Sequence, residues 1–223
     1  MIFLSYILEE DTPTYGNISK FWIEKRSSIK NGDIANNSSI HTTAHVGTHL
    51  DMPYHFYENG QTVIDFDPNF WIFNYILFFE IETEDIIIKN EILEILEEVE
   101  NKEKYEMLIV KTGACNIRKE QKYWEENKGF SPEIADYLKK YFPNIRIFGF
   151  DSISVSSFVN RIVGREAHAR FLDPSAPILL LEDMDLRQIN KSTRINKVIV
   201  SPLRISQCDG LPCTVFAEVL DEN

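Results

Sequence analysis

Short apolar runs bounded by polar and turn residues recur along the chain, and this pattern predicts a fold built mainly from strands. The runs are rich in Ile, Val, Leu and Phe and are short, which together favour extended structure. Strands are predicted over residues 2–8, 72–81, 107–110, 145–150, 178–181, 198–200 and 213–219.

Helical patterns are fewer. Asn90 precedes apolar residues at helical spacing, and Ser131-Pro132-Glu133 has the composition of a helix start that runs to about residue 141. It combines an N-capping hydroxyl, a first-turn proline and an acid near the positive end of the helix dipole. A third helix is expected over residues 165–172. Strands mixed with a few helices predict an α/β or α+β domain, whose strand order the pattern leaves open.

Composition narrows the class of protein. The chain has 223 residues, 43% of them hydrophobic, and no internal repeat or linker divides it, so we expect a single domain over residues 1–223. Its formal net charge of −12 predicts no nucleic-acid partner, because such a surface repels phosphate backbones. The longest apolar stretch, residues 70–79, is too short for a bilayer and is either a buried strand or an interface.

The cellular location is expected to be the cytoplasm. The first residues, MIFLSYILEE, have no basic region and no small-residue cleavage site, so they do not resemble a signal peptide. Three cysteines, Cys115, Cys208 and Cys213, are few and odd in number, which argues against a disulfide framework.

Candidate chemistry is concentrated in residues 45–56, which read HVGTHLDMPYHF. Imidazole and carboxylate groups are usual ligands of zinc, manganese and non-haem iron. His49 and Asp51 are two apart and point the same way on an extended strand, whereas Gly47 and Pro53 disfavour a long helix. A lone pair of histidines is common without a metal, but the added aspartate and His55 favour a strand or loop that presents metal ligands inward.

The same twelve residues resemble the H-x-G-T-H-x-D-x-P-x-H-F signature of the cyclase family, which includes bacterial kynurenine formamidase and isatin hydrolase. All specified positions match. Gly149-Phe-Asp151-Ser-Ile-Ser154, Thr112-Gly113 and Gly210-Leu-Pro212 are similar to weaker motifs of the family, so the resemblance spans essentially the whole chain. It implies a swivelling β/β/α domain with a mixed sheet, assembled as a homodimer or homotetramer.

The resemblance also implies a site for two divalent ions, zinc first and manganese as the second choice. Three of the residues, His45, His49 and Asp51, would hold one ion, and Asp51 would reach the second. The family's later histidine corresponds to His168, and its glutamate corresponds to Glu182. Asp183 is the alternative for the glutamate, and it faces the opposite side of a strand.

By the same resemblance, the protein is a metal-dependent hydrolase that cleaves an amide C–N bond with metal-activated water. His55 would be the proton shuttle, and Tyr15 would contact the substrate where relatives usually have tryptophan. The implied substrates are small molecules: aryl formamides such as N-formylkynurenine, or cyclic amides. The alternatives are a lactone hydrolase or polyketide-type cyclase with the same site, or a non-catalytic metal-binding protein.

Overall fold

The most apolar runs of the sequence form the centre of a mixed β-sheet in the computed structural model, which describes residues 1–220. The strands of the described chain are β1 (Ile2–Phe3), β2 (Trp22–Ser27), β3 (Asn37–His41), β4 (His49–Asp51), β5 (Ile72–Phe73), β6 (Ile76–Glu80), β7 (Ile87–Ile88), β8 (Met107–Lys111), β9 (Gly129–Phe130), β10 (Ile147–Phe150), β11 (Leu179–Glu182), β12 (Arg194–Pro202) and β13 (Gly210–Leu220). The helices are α1 (Asn90–Glu98), α2 (Lys122–Glu125), α3 (Pro132–Tyr141) and α4 (Arg161–Phe171).

The main sheet runs in the order β5-β12-β13-β4-β11-β10-β8-β6, and β1 pairs with β13. Strands β6, β8, β10 and β11 are parallel to one another, and the rest of the sheet is antiparallel. The short strand β4 therefore lies between the parallel half and the antiparallel half. The predicted mixed α/β class is confirmed.

Three of the parallel strands, β8, β10 and β11, are buried on both faces, which explains why they read as continuous apolar runs, whereas the edge strand β6 is partly exposed. In β8, Leu108 and Val110 pack in one core with the helices α1, α3 and α4. Met107 and Ile109 point to the other side, into a second core formed with β4, β12 and β13. Because side chains alternate along a strand, one run of five residues supplies both cores.

The predicted strands exist, but several have different limits. The run 72–81 is divided into β5 and β6, because β5 pairs with β12 whereas β6 pairs with β8. The run 2–8 keeps only β1 and an isolated bridge from Ser5 to Met184. Residues 70–79 pack against the two cores, but β6 forms the edge of the sheet and its residues are only partly buried.

The three predicted helices are confirmed as α1, α3 and α4. Helix α3 begins after Ser131 as expected, although the Ser131 hydroxyl contacts the Glu133 carboxylate rather than a backbone N–H. Helix α4 begins four residues earlier than predicted, at Arg161, because Gly164 inside its second turn obscured the start. The β2–β3 hairpin was not predicted, since its polar and exposed residues lack a regular alternation.

Within residues 1–220, none of the helices has the length and apolar character that a bilayer crossing needs.

Candidate metal centre and active site

Strand β4 places two of the predicted ligand residues by its pairing with both neighbours. His49 lies opposite Glu182 of β11, and Asp51 lies opposite Gly210 of β13. His49 and Asp51 point to the same side and are both buried, as the spacing predicted. The His49 Nε2 atom is 3.4 Å from Asp51 Oδ1 and 3.4 Å from Glu182 Oε2.

Helix α4 brings a third predicted ligand residue to the same point. His168 is buried in the last turns of the helix, with Nε2 3.2 Å from Asp51 Oδ2 and 3.9 Å from Glu182 Oε1. Gly164 allows this approach, because a Cβ at that position would lie 1.9 Å from the Ser156 hydroxyl. The structure therefore brings His49, His168 and Glu182 together from three separate elements.

Backbone carbonyls orient two of these imidazoles. The Nδ1–H of His49 donates to the Gly47 carbonyl at 2.8 Å, and the Nδ1–H of His168 donates to the Gly164 carbonyl at 2.8 Å. In a neutral ring the proton then resides on Nδ1, so the Nε2 lone pair faces the carboxylates. Such a contact is repulsive unless a proton or a metal cation lies between the two groups.

His45 is held differently, between two carboxylates. Its Nδ1 is 2.7 Å from Asp51 Oδ1, and its Nε2 is 2.8 Å from Asp209 Oδ2. Its ring lies over Gly210, where an added Cβ would be 2.6 Å from the ring, so only glycine fits there.

Asp209 also contacts the predicted proton shuttle. The Nδ1 atom of His55 is 3.0 Å from Asp209 Oδ2, and the His55 ring lies 4.2 Å from the ring of His45. Asp209 was not predicted from the sequence. Its one local signal is that it immediately precedes the Gly210-Leu-Pro212 motif.

Glu182 and Asp183 point to opposite sides, with Glu182 at the end of β11 and Asp183 just beyond it at a positive φ of 51°. Glu182 points into the histidine cluster and accepts a hydrogen bond from the Val155 N–H at 2.7 Å. Asp183 points away, where it pairs with Arg118 and accepts from the Tyr123 hydroxyl at 2.5 Å. The structure therefore places Glu182, and not Asp183, beside His168.

A cavity of about 410 Å³ opens onto the cluster. Tyr15 is in its wall, in edge-to-face contact with Phe158, and its hydroxyl is 3.4 Å from Ser156 Oγ. His55 and Phe56 form the opposite wall. All seven residues that the sequence analysis selected line this cavity: Tyr15, His45, His49, Asp51, His55, His168 and Glu182.

Residues of the weaker family motifs form hydrogen bonds next to the site or line its cavity. Asp151 is buried and accepts hydrogen bonds from Thr112 N, Thr112 Oγ1 and Cys115 N, which joins the ends of β8 and β10. Ser154 lines the cavity. His41 lies outside it on the β2–β3 hairpin, stacked on Trp22 and paired with Glu24.

The buried charges shift one another's pKa values. Burial alone would lower the pKa of His45, but Asp51 and Asp209 outweigh that effect and raise it to about 9. Burial is likewise outweighed at His49 and His168, whose pKa values are raised by hydrogen bonds to carboxylates. Burial would raise the pKa of Asp51, yet the surrounding imidazoles hold it well below its usual range. Positive charge on the imidazoles or on a bound cation therefore stabilises the buried carboxylates of the cluster.

The donor set fits a divalent cation. Its ligand atoms are imidazole nitrogens and carboxylate oxygens, the set that zinc and manganese accept. Three groups of residues bring ligand atoms within 4.8 Å of one another: His45, His49 and Asp51; Asp51, His55 and His168; and His45, His55 and Asp209. Two ligands about 2.1 Å from one tetrahedral ion lie roughly 3.4 Å apart, which matches the spacing around His49.

Comparisons with known proteins identify the family of this chain. A family model described as a putative cyclase matches residues 2–157. The kynurenine formamidase of Geobacillus thermodenitrificans (strain NG80-2) is 28% identical over 211 residues, which cover 94% of this chain and 92% of that protein.

Solved structures share the fold. A potential metal-dependent hydrolase with cyclase activity superposes with a TM-score of 0.75 at 19% identity, covering 100% of this chain and 98% of the other. Isatin hydrolase A from Labrenzia aggregata gives a TM-score of 0.76 at 18% identity, covering 99% and 93%. At such identities the likeness establishes the architecture alone.

Proposed function

We propose, from the premise that this chain belongs to the cyclase family, that it is a metal-dependent hydrolase which cleaves an amide C–N bond. The observation that carries the proposal is a buried cluster of imidazoles and carboxylates with His55 at the rim of the same cavity. Relatives named kynurenine formamidase and a structural neighbour named isatin hydrolase support aryl formamides or cyclic amides as the substrate class.

The residues that would hold the ions are His45, His49, Asp51, His168 and Glu182, with zinc as the first choice and manganese as the second. Asp51 has one carboxylate oxygen near His45 and His49 and the other near His168, so it is suited to bridge two ions. When bound, a divalent cation supplies a Lewis acid that polarises the substrate carbonyl and lowers the pKa of water toward about 7.

His55 is suited to move the protons of the reaction. Because Asp209 accepts the Nδ1–H of His55, the Nε2 atom of the neutral ring is left as the basic nitrogen. It can take a proton from the attacking water and deliver it to the leaving nitrogen, which departs as an amine. Asp209 would hold the ring in this tautomer and orientation, which makes it a positioning residue.

The first experiment measures hydrolysis of N-formylkynurenine and isatin by protein that is stripped of metal and then reloaded with zinc or manganese. We expect turnover only after reloading, and at least a hundredfold loss in kcat for His55→Ala with an unchanged metal content. Loss of metal without loss of activity would contradict the proposal. Turnover of lactones but not amides would favour the lactone hydrolase or cyclase alternative.

Asp209 is tested beside His55. We expect Asp209→Ala to lower kcat about 10- to 100-fold with little change in KM, and Asp209→Asn to recover part of that loss, because its amide oxygen still accepts from Nδ1–H. Metal content measured in the same samples separates this effect from a disturbed His45. Equal kcat values for Asp209→Ala and the wild type would contradict the positioning role.

We further propose that the chain assembles as a homodimer through the β2–β3 hairpin. This hairpin forms its own two-stranded sheet, and such a sheet is marginal without a partner. It exposes five large apolar side chains: Trp22, Ile23, Ile29, Ile34 and Ile40. Residues 20–41 carry a net charge of +2, whereas the rest of the chain carries −14. Because of this charge difference, the acidic surface of a second copy of the chain is a suitable partner for the hairpin.

The cytoplasmic location stays a prediction.

A further inference from the structure

Two arginines extend from the histidine cluster toward the mouth of the cavity along one face of α4. Arg161 and Arg165 both line the cavity, and with His168 they are spaced four and three residues apart. Residues at this spacing share a helix face. At 1.5 Å of rise per residue, Arg165 lies about 4.5 Å and Arg161 about 10.5 Å from His168 along the helix axis.

Neither arginine forms a salt bridge with a carboxylate within the described residues 1–220. Five of the nine arginines have a carboxylate partner within 4.0 Å: Arg26, Arg118, Arg146, Arg170 and Arg187. Arg161 and Arg165 are exposed and have no such partner among residues 1–220, although the chain contains 35 acidic residues. Arg170, on the same helix, is paired with both Asp136 and Glu166, so α4 does not lack acids around it.

Aromatic side chains hold Arg161 beside the cavity. Its guanidinium lies 4.0 Å from the centre of the Phe158 ring and 5.8 Å from the centre of the Tyr15 ring. Its Nε–H donates to the Phe158 carbonyl at 3.3 Å, which leaves the two terminal NH₂ groups for a ligand. A guanidinium stacked in this way is pre-organised for a planar anion.

The charge of the cavity changes from its floor to its mouth. The floor carries the carboxylates of Asp51 and Glu182, which divalent ions would neutralise in the loaded protein, and the mouth carries the two guanidinium groups, which have no carboxylate partner within residues 1–220. An anionic group of a ligand is therefore favoured at the mouth, while the part that reacts lies at the floor. A ligand with a carboxylate at one end and a neutral amide at the other matches this distribution of charge.

We propose that Arg161 and Arg165 form a carboxylate-binding subsite, so that the substrate is an aryl amide whose ring or side chain carries a carboxylate remote from the scissile bond. The inference rests on the proposed function, since the amide defines which end faces the histidine cluster. Tyr15 lines the cavity with its aromatic ring and packs edge-to-face against Phe158.

A pair of formanilides that differ in charge but not in shape tests the subsite. The zinc-loaded protein is given 4-formamidobenzoate or the neutral 4-formamidobenzamide. We expect kcat/KM to be about 10- to 100-fold higher for the carboxylate, since a charge-assisted hydrogen bond contributes about 1.5–3 kcal/mol. In the double variant Arg161→Gln, Arg165→Gln this ratio falls to within about twofold of one, mainly through KM, because a neutral amide no longer attracts the carboxylate.

Arg194→Gln is the matched control, because Arg194 is exposed and lies outside the cavity at the start of β12. It keeps the preference for the carboxylate. A wild-type ratio near one, or a ratio unchanged in the double variant, would overturn the subsite while leaving the hydrolase proposal intact.

A binding measurement separates the two proposals. If neither amide is turned over, the proposed function fails, but calorimetry with 4-acetamidobenzoate still reports on the arginines. Binding at least tenfold weaker in the double variant than in Arg194→Gln would support the subsite. Equal binding in the two variants would overturn it.

Discussion

At the scale of the residue, the cluster is a set of buried charges that balance one another. Asp51 is surrounded by three imidazoles, and its contacts with His45 and His168 raise the pKa values of both rings, which favours their protonated forms in the metal-free protein. A divalent cation would replace these protons, because it offers the same carboxylates positive charge and takes the imidazole lone pairs. Metal binding and histidine protonation therefore compete.

The raised pKa of His45 predicts how the stability of the metal-free protein depends on pH. The pKa of His45 is raised from 6.5 to about 9, so its contribution to stability is complete below pH 6.5 and is lost as the pH rises toward 9. We expect urea midpoints of the metal-free protein to fall between pH 6.5 and 8.5. Zinc affinity should rise over the same range.

His41→Ala is the control for that measurement, since His41 lies on the hairpin and contacts none of the cluster. Its midpoints should fall with the wild-type slope, whereas those of His45→Ala should fall less. Midpoints that stay level or rise between pH 6.5 and 8.5 in the wild type would contradict the assignment.

At the scale of the element, the site depends on how closely α4 approaches the segment that follows β10. A Cβ on Gly164 would lie 1.9 Å from Ser156 Oγ and 2.5 Å from Ser156 Cα. The first atom could rotate away, but the second belongs to the backbone and cannot. The position of α4, and with it the positions of Arg165 and His168, is thus determined at this glycine.

Gly164→Ala is therefore expected to destabilise the protein. Alanine would gain about 1 kcal/mol in helix propensity, but overpacking against Ser156 would cost about 1–3 kcal/mol. The steric cost therefore equals or exceeds the gain, and α4 shifts to relieve it. Zinc affinity should fall along with the denaturation midpoint. The exposed Glu166→Ala on the same helix should change neither by more than about 0.5 kcal/mol. A Gly164→Ala protein that binds zinc as the wild type does would contradict this account.

At the scale of the whole molecule, the β2–β3 hairpin is continuous with the cavity at both ends. Tyr15 and Ser19 of the cavity wall precede β2, and His45 follows β3 by four residues. A second copy seated on the hairpin would accordingly lie close to the mouth of the cavity. Assembly and substrate access would then be connected.

Replacing the apolar pair Ile23 and Ile40, which face each other across the hairpin, tests the assembly. We expect the wild type to sediment as a dimer that weakens as salt is added, because the hairpin and the rest of the chain differ in charge. The double variant Ile23→Lys, Ile40→Lys should be monomeric. Ile64→Lys, an exposed isoleucine outside the hairpin, should remain dimeric. A monomeric wild type, or a dimeric double variant, would contradict the proposal.

The sequence by itself determined the parts of this protein that depend on neighbours along the chain. Twelve residues, 45–56, carry four of the selected site residues, and the rule of alternation along a strand predicted that Glu182 and Asp183 face opposite sides. The apolar runs indicated the strands of the two cores, because burial on both faces leaves no polar positions in them.

Only the tertiary structure decided the rest, because those contacts join residues far apart in the chain. Asp209 reaches His45, 164 residues away, through the pairing of β13 with β4, which no local pattern records. Arg161 entered the site because α4 begins earlier than its apolar spacing indicated. Side chains that are far apart in the sequence are brought into contact by sheet register and helix packing, and both are properties of the folded molecule.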